Sequence, residues 1–477
     1  MKTGRLKKFV GDKAFYKMAL AIIIPVIIQQ IILSIAGYVD SLMINSYSQV
    51  AYVGVSTSNR FMFVINFFWI GLASGISIFV AQYRGAKQTE NIKAIIQLSL
   101  IIAIIIGIIS FFAIYFLGPL VLKAFIPGQG ATDLESVRFG TEYIKMIAFG
   151  AVIMLLNFMV STIFRSLGKP KIPMFAGIAG IAINILLNVL LIFGYLGFPE
   201  LGAMGAAIAT VASKVIELGI LLVVAFFFSE EGYARKIWKK VYLNSRHVIM
   251  YLRKGTPIVI NEVMWAIGMQ LLAFFITGGN TAWLTSYNYF QNITDLFFVY
   301  YAGIATGTAV LVGSALGEGA FEKAKDYANK LIGLMVVAGT VAIILLVSVS
   351  PALLLILTPV GEIYWNAYYL ILVTSAFIIL YGFNAMVYYI LRAGGDSLRS
   401  VLLDQLPIYL IGIPLAFLLY KMEPKWQLGL VLIFLITRLI DVIKVIASYF
   451  VFKQETWLQN LTVEEPSKPK ELKSAES

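Results

Sequence analysis

The sequence predicts an all-α, polytopic membrane protein of twelve transmembrane helices in two six-helix lobes. Three observations carry that expectation. Apolar runs long enough to cross ~30 Å of hydrocarbon as a helix recur along the whole chain, such as LSLIIAIIIGIISFFAIYFLGPLVL at 98–122. The connectors between the runs alternate between basic and nearly uncharged. The second half of the chain repeats landmarks of the first at a nearly fixed spacing.

The residues are 60% hydrophobic and 13% charged, with a mean hydropathy of +0.87, too little charge to cover a soluble surface of 477 residues. Backbone polar groups in lipid must be satisfied within their own segment, so the runs are helices and not open strands. Helix 1 is expected at 17–45; the basic MKTGRLKKF before it and the lack of a small-residue cleavage site make it a retained span. Helices 2 and 3, at 52–82 and 94–122, flank YRGAKQTENIK. Helices 4 and 5, at 140–164 and 173–196, flank RSLGKPK. Helix 6, at 203–228, runs into a long basic segment at 229–249. Helices 7 and 8, at 250–277 and 283–313, are joined by TGGNTAW. Helix 9, at 328–357, follows GEGAFEKAKDYANK, and helix 10 spans 365–391. Helices 11 and 12 follow LRAGGDSLRS, at 400–420 and 427–452.

Lys and Arg concentrate in every second connector, and the positive-inside rule makes those connectors and both termini cytoplasmic. The expected setting is the cell inner (plasma) membrane. The domain division is an N-terminal lobe at 1–228, a cytoplasmic inter-lobe linker at 229–249, a C-terminal lobe at 250–453 and a polar, Pro- and Ser-bearing tail at 454–477, expected to be disordered.

The repeat is an ordered series. Gly71-Leu-Ala-Ser-Gly75 recurs as Gly303-Ile-Ala-Thr-Gly307, 232 residues on, and the same spacing links Pro25 to Pro257, Gly85 to Gly317 and Pro119 to Pro351. Beyond a shorter loop the spacing becomes 227, linking Asn157 to Asn384, Arg165 to Arg392 and Thr210 to Thr437. Six helices per unit is an even number, so both lobes enter from the same side and their axis lies along the membrane normal. Such lobes enclose a central cavity and rock against each other to alternate access.

The chain contains no cysteine, which excludes disulfides and thiolate chemistry. Its single histidine, His247, lies in the basic linker, where a solvated or interfacial position is expected. HExxH, Ser/His/Asp and P-loop patterns are absent, which argues against an enzyme and against direct drive by ATP. The net charge of +12 belongs to cytoplasmic connectors and does not imply nucleic acid.

Four segments carry a family resemblance: GYVDSLMIN at 37–45, VAQYRGA at 80–86, RSLGKPKIP at 165–173 and, most specific, GFPELGAMGAAIAT at 197–210. With them the chain resembles the multidrug and toxic compound extrusion (MATE) family over all but its tails. The resemblance implies export of organic cations or other amphipathic compounds in exchange for Na⁺ or H⁺, without a further cofactor. It matches Asp40 to a functional acid on helix 1 and Glu262, in PIVINEVMW, to another on helix 7. One departure stands out. Where a proton-linked branch has N-x-x-x-D on helix 5, this chain has Asn184-Ile-Leu-Leu-Asn188, so the second carboxylate is absent.

A charge in hydrocarbon costs roughly 2.5–3.5 kcal/mol on insertion scales, so each intramembrane acid calls for a reason. Asp40 is expected about 9 Å below the outer end of helix 1, and Arg60 about 13–14 Å down its antiparallel neighbour, in reach of an ion pair. Glu262 follows Pro257 by five residues, and Trp265, Met269 and Gln270 share its helix face. A carboxylate, an aromatic ring, a thioether and an amide suit a flat organic cation. Asn288, Gln291, Asn292 and Asp295 form a second polar stripe on helix 8. Oxygen-rich stripes favour hard cations, and a Na⁺ site is expected at Glu262 and Asp295. On helices 6 and 12, Lys214 with Glu217, and Arg438, Asp441 and Lys444, follow one another by three, as pairs within each helix or as gating charges. Arg165 and Arg392 are expected to anchor their helix ends at the interface. Asp40 and Asp295 map onto Leu272 and Phe63 under the repeat, so the scaffold recurs and the acids do not.

The expected activity is secondary antiport by a monomer: Na⁺ or H⁺ neutralises the acids and releases a cationic or amphipathic substrate outside. The alternative is a flippase for a lipid-linked oligosaccharide or other lipid. That would require a cationic cavity, and the expected cavity is acidic and amide-lined.

Overall fold

A computed structural model describes residues 7–126, 130–228 and 232–463. Residues 229–231 of the expected linker and 464–477 of the expected tail lie outside the described residues. The N-terminal lobe contains α1 (Lys13–Tyr47), α2 (Gln49–Gly85), α3 (Thr89–Phe125), α4 (Ala131–Phe149 and Ala151–Ser166), α5 (Lys171–Phe193) and α6 (Gly202–Phe228). The C-terminal lobe contains α7 (Ser245–Thr277), α8 (Thr281–Gly317), α9 (Phe321–Leu357), α10 (Glu362–Ala393), α11 (Ser397–Trp426) and α12 (Gly429–Arg438 and Ile440–Lys453). Ten helices among the described residues are each long and apolar enough to cross a membrane. The two pieces of α4, bent by 54°, make an eleventh when counted as one span, and α12, in two shorter pieces, is the twelfth helix of the bundle.

Most helices run several residues past their expected ends, because polar caps carry the backbone beyond the apolar core. Asp12 accepts from the Phe15 amide at 2.9 Å, and Ser48 accepts from Ala51 at 3.2 Å. At the start of α7, Asn244 and His247 form a reciprocal capping box. His247 is therefore buried and not solvated, and its Nε2 lies 3.1 Å from Asn91 on α3. The bend in α4 falls at Gly150, which faces the Val211 side chain closely.

The repeat is realised as the seam between the lobes. A Cβ on Gly71 would lie 2.7 Å from Val259 Cα, and one on Gly303 would lie 2.7 Å from Ile27 Cγ1. Ile27 and Val259 are themselves 232 residues apart. Likewise Gly85 abuts the Ser314 carbonyl and Gly317 abuts the Gln82 carbonyl, the second pair again related by 232. Each contact thus has a twofold mate. These glycines let helix backbones approach closely, which is how lipid-embedded helices gain packing attraction. The seam runs toward the ends of α2 and α8, the end of the bundle that also carries the chain termini and the inter-lobe linker.

Residues 454–463, assigned by composition to the tail, are packed against this seam. Trp457 is 1% exposed and stacks on Phe452 at 5.9 Å. Gln82 of the first lobe donates to the Ala393 carbonyl of the second at 2.8 Å and accepts from the Leu461 amide at 2.8 Å. Asn460 donates to the Gly317 carbonyl at 3.3 Å, and Lys254 donates to Gln459 at 3.1 Å. One aromatic anchor and backbone hydrogen bonds order a segment whose composition is polar.

Candidate functional site

Between the lobes lies a cavity of about 960 Å³, lined by residues of both. Its wall reaches Ile276 and Leu284, within a turn of the helix ends opposite the termini. The wall also reaches Ser166 and Ala393 at the terminus end, where the packed seam and the Gln82–Ala393 bond close it. Midway, Trp265 of α7 meets Phe67 and Phe63 of α2 at ring separations of 4.9 and 6.5 Å. The Tyr38 hydroxyl on α1 donates to the Asn292 carbonyl on α8 at 2.7 Å.

The residues expected to line a cavity largely do. Glu262, Trp265, Met269, Gln270, Asn288, Gln291 and Asp295 are all on its wall, whereas Asn292 is not and serves through its backbone. Asp295 is exposed to the cavity and has no ion-pair partner among the described residues. The cavity is not mainly acidic, as the sequence suggested. Arg60, Arg165, Arg392, Arg438 and Lys444 line it together with Glu262, Asp295, Asp404 and Asp441. Three of the four acids are held by cations within the C-terminal lobe, which leaves Asp295 as the free one.

One expected pairing and one expected anchor are replaced. Asp40 does not meet Arg60: it faces into its own lobe and accepts from Asn188 Nδ2 on α5 at 2.6 Å, while Arg60 turns to the cavity. Arg392 is not an interfacial anchor. Its Nη1 is 2.6 Å from Glu262 Oε1, and the two side chains are only 9% and 13% exposed. The pair forms because α10 ends beside the middle of α7, a proximity that lies outside anything sequence spacing encodes. Glu262 is consequently occupied by a guanidinium and does not join Asp295 in one site. Among the described residues no cluster of three or more acids or histidines is placed to hold a metal ion.

The Asp40 site has four members on three helices. Asn188 Nδ2 also reaches Asn184 Oδ1 at 3.4 Å, Asn184 Nδ2 reaches Thr210 Oγ1 at 3.5 Å, and Asn188 Oδ1 is buried without a partner. A carboxylate, two amide oxygens and a hydroxyl form the ligand chemistry of a small hard cation.

The within-helix pairs are partly as expected. Lys214 and Glu217 pair at 2.7 Å, and Arg438 and Asp441 at a longer 3.7 Å. Lys444 does not pair with Asp441; it reaches Asp404 on α11 at 2.9 Å. Asp404 also accepts from Gln405 at 2.9 Å and from Asn261 at 3.3 Å. Under the 227 spacing, Lys214 and Glu217 correspond to Asp441 and Lys444, so the charges are inverted between lobes. Asp404 corresponds to Gly177, which faces Gln29 and Glu217, and Gln29 corresponds to Asn261. Each lobe therefore buries one lysine-paired acid in the same space, delivered by α6 in one lobe and α11 in the other. Sequence reasoning missed Asp404 although an acid inside an apolar span was a usable signal; it lies four residues from an expected helix start, where charges are readily assigned to water.

The match to the family model described as MatE covers residues 25–190 and 257–418, most of both lobes. The chain belongs to the MatE family. The two matched segments begin at Pro25 and Pro257, the prolines that open the repeat in this MatE chain. Two relatives are similar along nearly their whole length. One is YisQ of Bacillus subtilis (strain 168), described as an uncharacterized transporter, 26% identical over 87% of this chain and 90% of its own. The other is NorM of Thermotoga maritima, described as a probable multidrug resistance protein, 26% identical over 88% and 87%. Among solved structures, a multidrug resistance MATE family transporter of the MOP superfamily in an outward-facing conformation is similar in fold. It has a TM-score of 0.81 and 20% identity, with 94% of this chain and 97% of that one covered. MatE proteins are multi-pass membrane transporters and not enzymes, so the cavity is read as a transport site.

Proposed function

We propose that this MatE protein exports cationic or amphipathic organic compounds in exchange for Na⁺ or H⁺, with substrate and coupling ion on different acids. The observation that carries this reading is Asp295, the one cavity acid without a cationic partner among the described residues. A flat cation lying against Trp265 and Phe67 gains cation–π attraction while Asp295 supplies the opposite charge. The coupling ion takes Asp40, with Asn184, Asn188 and Thr210 as oxygen ligands for Na⁺, or a proton on the carboxylate itself. The relatives described as multidrug resistance proteins support the substrate class.

The two sites are linked by geometry. Asp40 and Tyr38 lie two residues apart on α1, and Tyr38 crosses to Asn292, three residues before Asp295 on α8. Neutralising Asp40 relieves its hold on Asn188, lets α1 shift, and loosens the crossing that fixes α8. Substrate then leaves from the open side, and the lobes rock to the other access state. The basic connectors support a cytoplasmic terminus end under the positive-inside rule; in this reading a monomer works in the plasma membrane with its cavity facing outward.

The test is ethidium efflux in everted vesicles driven separately by a Na⁺ and a proton gradient. Asp295→Asn is expected to abolish efflux under either gradient, and Asp40→Asn to leave ethidium binding but remove gradient acceleration. Full coupled efflux by Asp295→Asn overturns the assignment. A second reading, a lipid-linked anion as cargo, is favoured by Arg60 and Arg165, cavity cations that form no ion pair among the described residues. It predicts loss of activity in Arg60→Gln together with indifference to Asp295→Asn.

A further inference from the structure

We propose that Arg392 is a tethered cation that competes with substrate for Glu262, so that Glu262 becomes a substrate-binding acid only when a cationic ligand displaces it. The proposal rests on the cation-export reading above and adds a second acid that is loaded in turn.

The contact is of a kind that can be exchanged. Arg392 touches Glu262 through a single Nη1–Oε1 contact of 2.6 Å, and its Nε is buried without any acceptor. A permanent arginine–carboxylate pair gains most from two parallel hydrogen bonds, and this one forgoes the second. The guanidinium also lies over the Tyr388 ring at 4.7 Å, which offers the charge a resting place when the carboxylate is taken.

Comparison of the lobes separates scaffold from function. The repeat places Arg165 where Arg392 stands and Gln30 where Glu262 stands. In the N-terminal lobe the arginine persists on the cavity wall with only Thr162 as a side-chain hydrogen-bond partner, at 3.5 Å. The arginine there is accommodated without a carboxylate in contact, with Glu217 acting only through its charge at longer range, so the contacting acid is the added element. Glu262 also sits three residues before Trp265, whose ring meets Phe67 and Phe63 across the lobes. An aryl cation entering from the open side and lying on that aromatic group approaches Glu262 directly.

Exchange of one cation for another keeps the Glu262 carboxylate paired and leaves the displaced guanidinium against the Tyr388 ring, whereas a neutral ligand that pushed Arg392 away would strand the carboxylate as well. The pair thus acts as a charge filter.

The decisive experiment measures binding of tetraphenylphosphonium and of the neutral triphenylphosphine oxide to the purified full chain. Arg392→Gln is expected to tighten tetraphenylphosphonium about tenfold, a size within the range of coupling between close charges, and to leave triphenylphosphine oxide unchanged. Arg392→Lys, which restores the competing charge, is expected to return wild-type affinity. Glu262→Gln, which needs no buried arginine to be removed, is expected to weaken only the cation. Equal changes for both ligands in Arg392→Gln, or wild-type cation binding by Glu262→Gln, overturn the proposal. If the wild type binds the cation and loses it in Asp295→Asn while Arg392→Gln changes nothing, only the role of Arg392 falls. If neither wild type nor Arg392→Gln binds it, the cation-export reading falls as well.

Discussion

Asn188 on α5 donates its side-chain amide to Asp40 on α1 at 2.6 Å, in a lobe where the remaining oxygen of that amide is buried and unpartnered. Replacing the amide by a carboxylate, Asn188→Asp, puts two acids in contact, and such pairs retain one proton between them. The variant is expected to shift efflux toward drive by a proton gradient and to reduce its response to Na⁺. Initial rates under each gradient alone decide it, and an unchanged ratio of the two rates counts against a coupling site at Asp40.

The seam glycines give a mechanical prediction. A Cβ at Gly85 meets the Ser314 carbonyl, and its twofold mate at Gly317 meets the Gln82 carbonyl. Gly85→Ala and Gly317→Ala should each cost about 1–3 kcal/mol, as overpacked sites do, and should do so to a similar degree. Thermal unfolding in detergent checks this, and because the chain has no cysteine, single introduced cysteines report whether the seam opens.

The segment after α12 is expected to brace the same seam. Truncation after Lys453 removes the Trp457 anchor and strips Gln82 of its Leu461 partner, and Gln82 is fully buried. A lowered melting temperature in detergent is expected. Gln82→Ala, which leaves buried backbone groups unpaired, should cost about 1–3 kcal/mol.

Asp404 and Lys444 provide a charge-pair prediction. Both are buried and 2.9 Å apart. Lys444→Met alone should destabilise by about 3–5 kcal/mol because it strands a buried carboxylate, and Asp404→Leu with Lys444→Met should recover most of that loss. A double-mutant cycle of unfolding free energies measures the coupling, and additive losses would count against it.

Twelve spans, their alternation and the two lobes were legible because lipid imposes a one-dimensional rule: every backbone group must be satisfied within roughly twenty apolar residues. The repeat was legible because close helix approach demands glycine at fixed places, and Gly71, Gly85, Gly303 and Gly317 occupy them. The wall residues of α7 and α8 followed from helical periodicity, as Glu262, Trp265, Gln291 and Asp295 illustrate. Asp40 and Asp295 also stood out, since an acid in an apolar span is its own signal.

Partner choice was not legible. Asp40 was equally compatible with Arg60 and with Asn188, Lys444 with Asp441 and with Asp404, and Glu262 with an empty cavity and with Arg392. Each of these depends on which helices lie side by side and how each is rotated about its axis, and sequence spacing constrains only neighbours on the same helix. A carboxylate announces itself locally, because its cost in lipid is a property of one residue. The cation that neutralises it comes from wherever the packed helices bring one within about 3 Å, and here packing left Asp295 open to the cavity while closing Glu262 with an arginine 130 residues away.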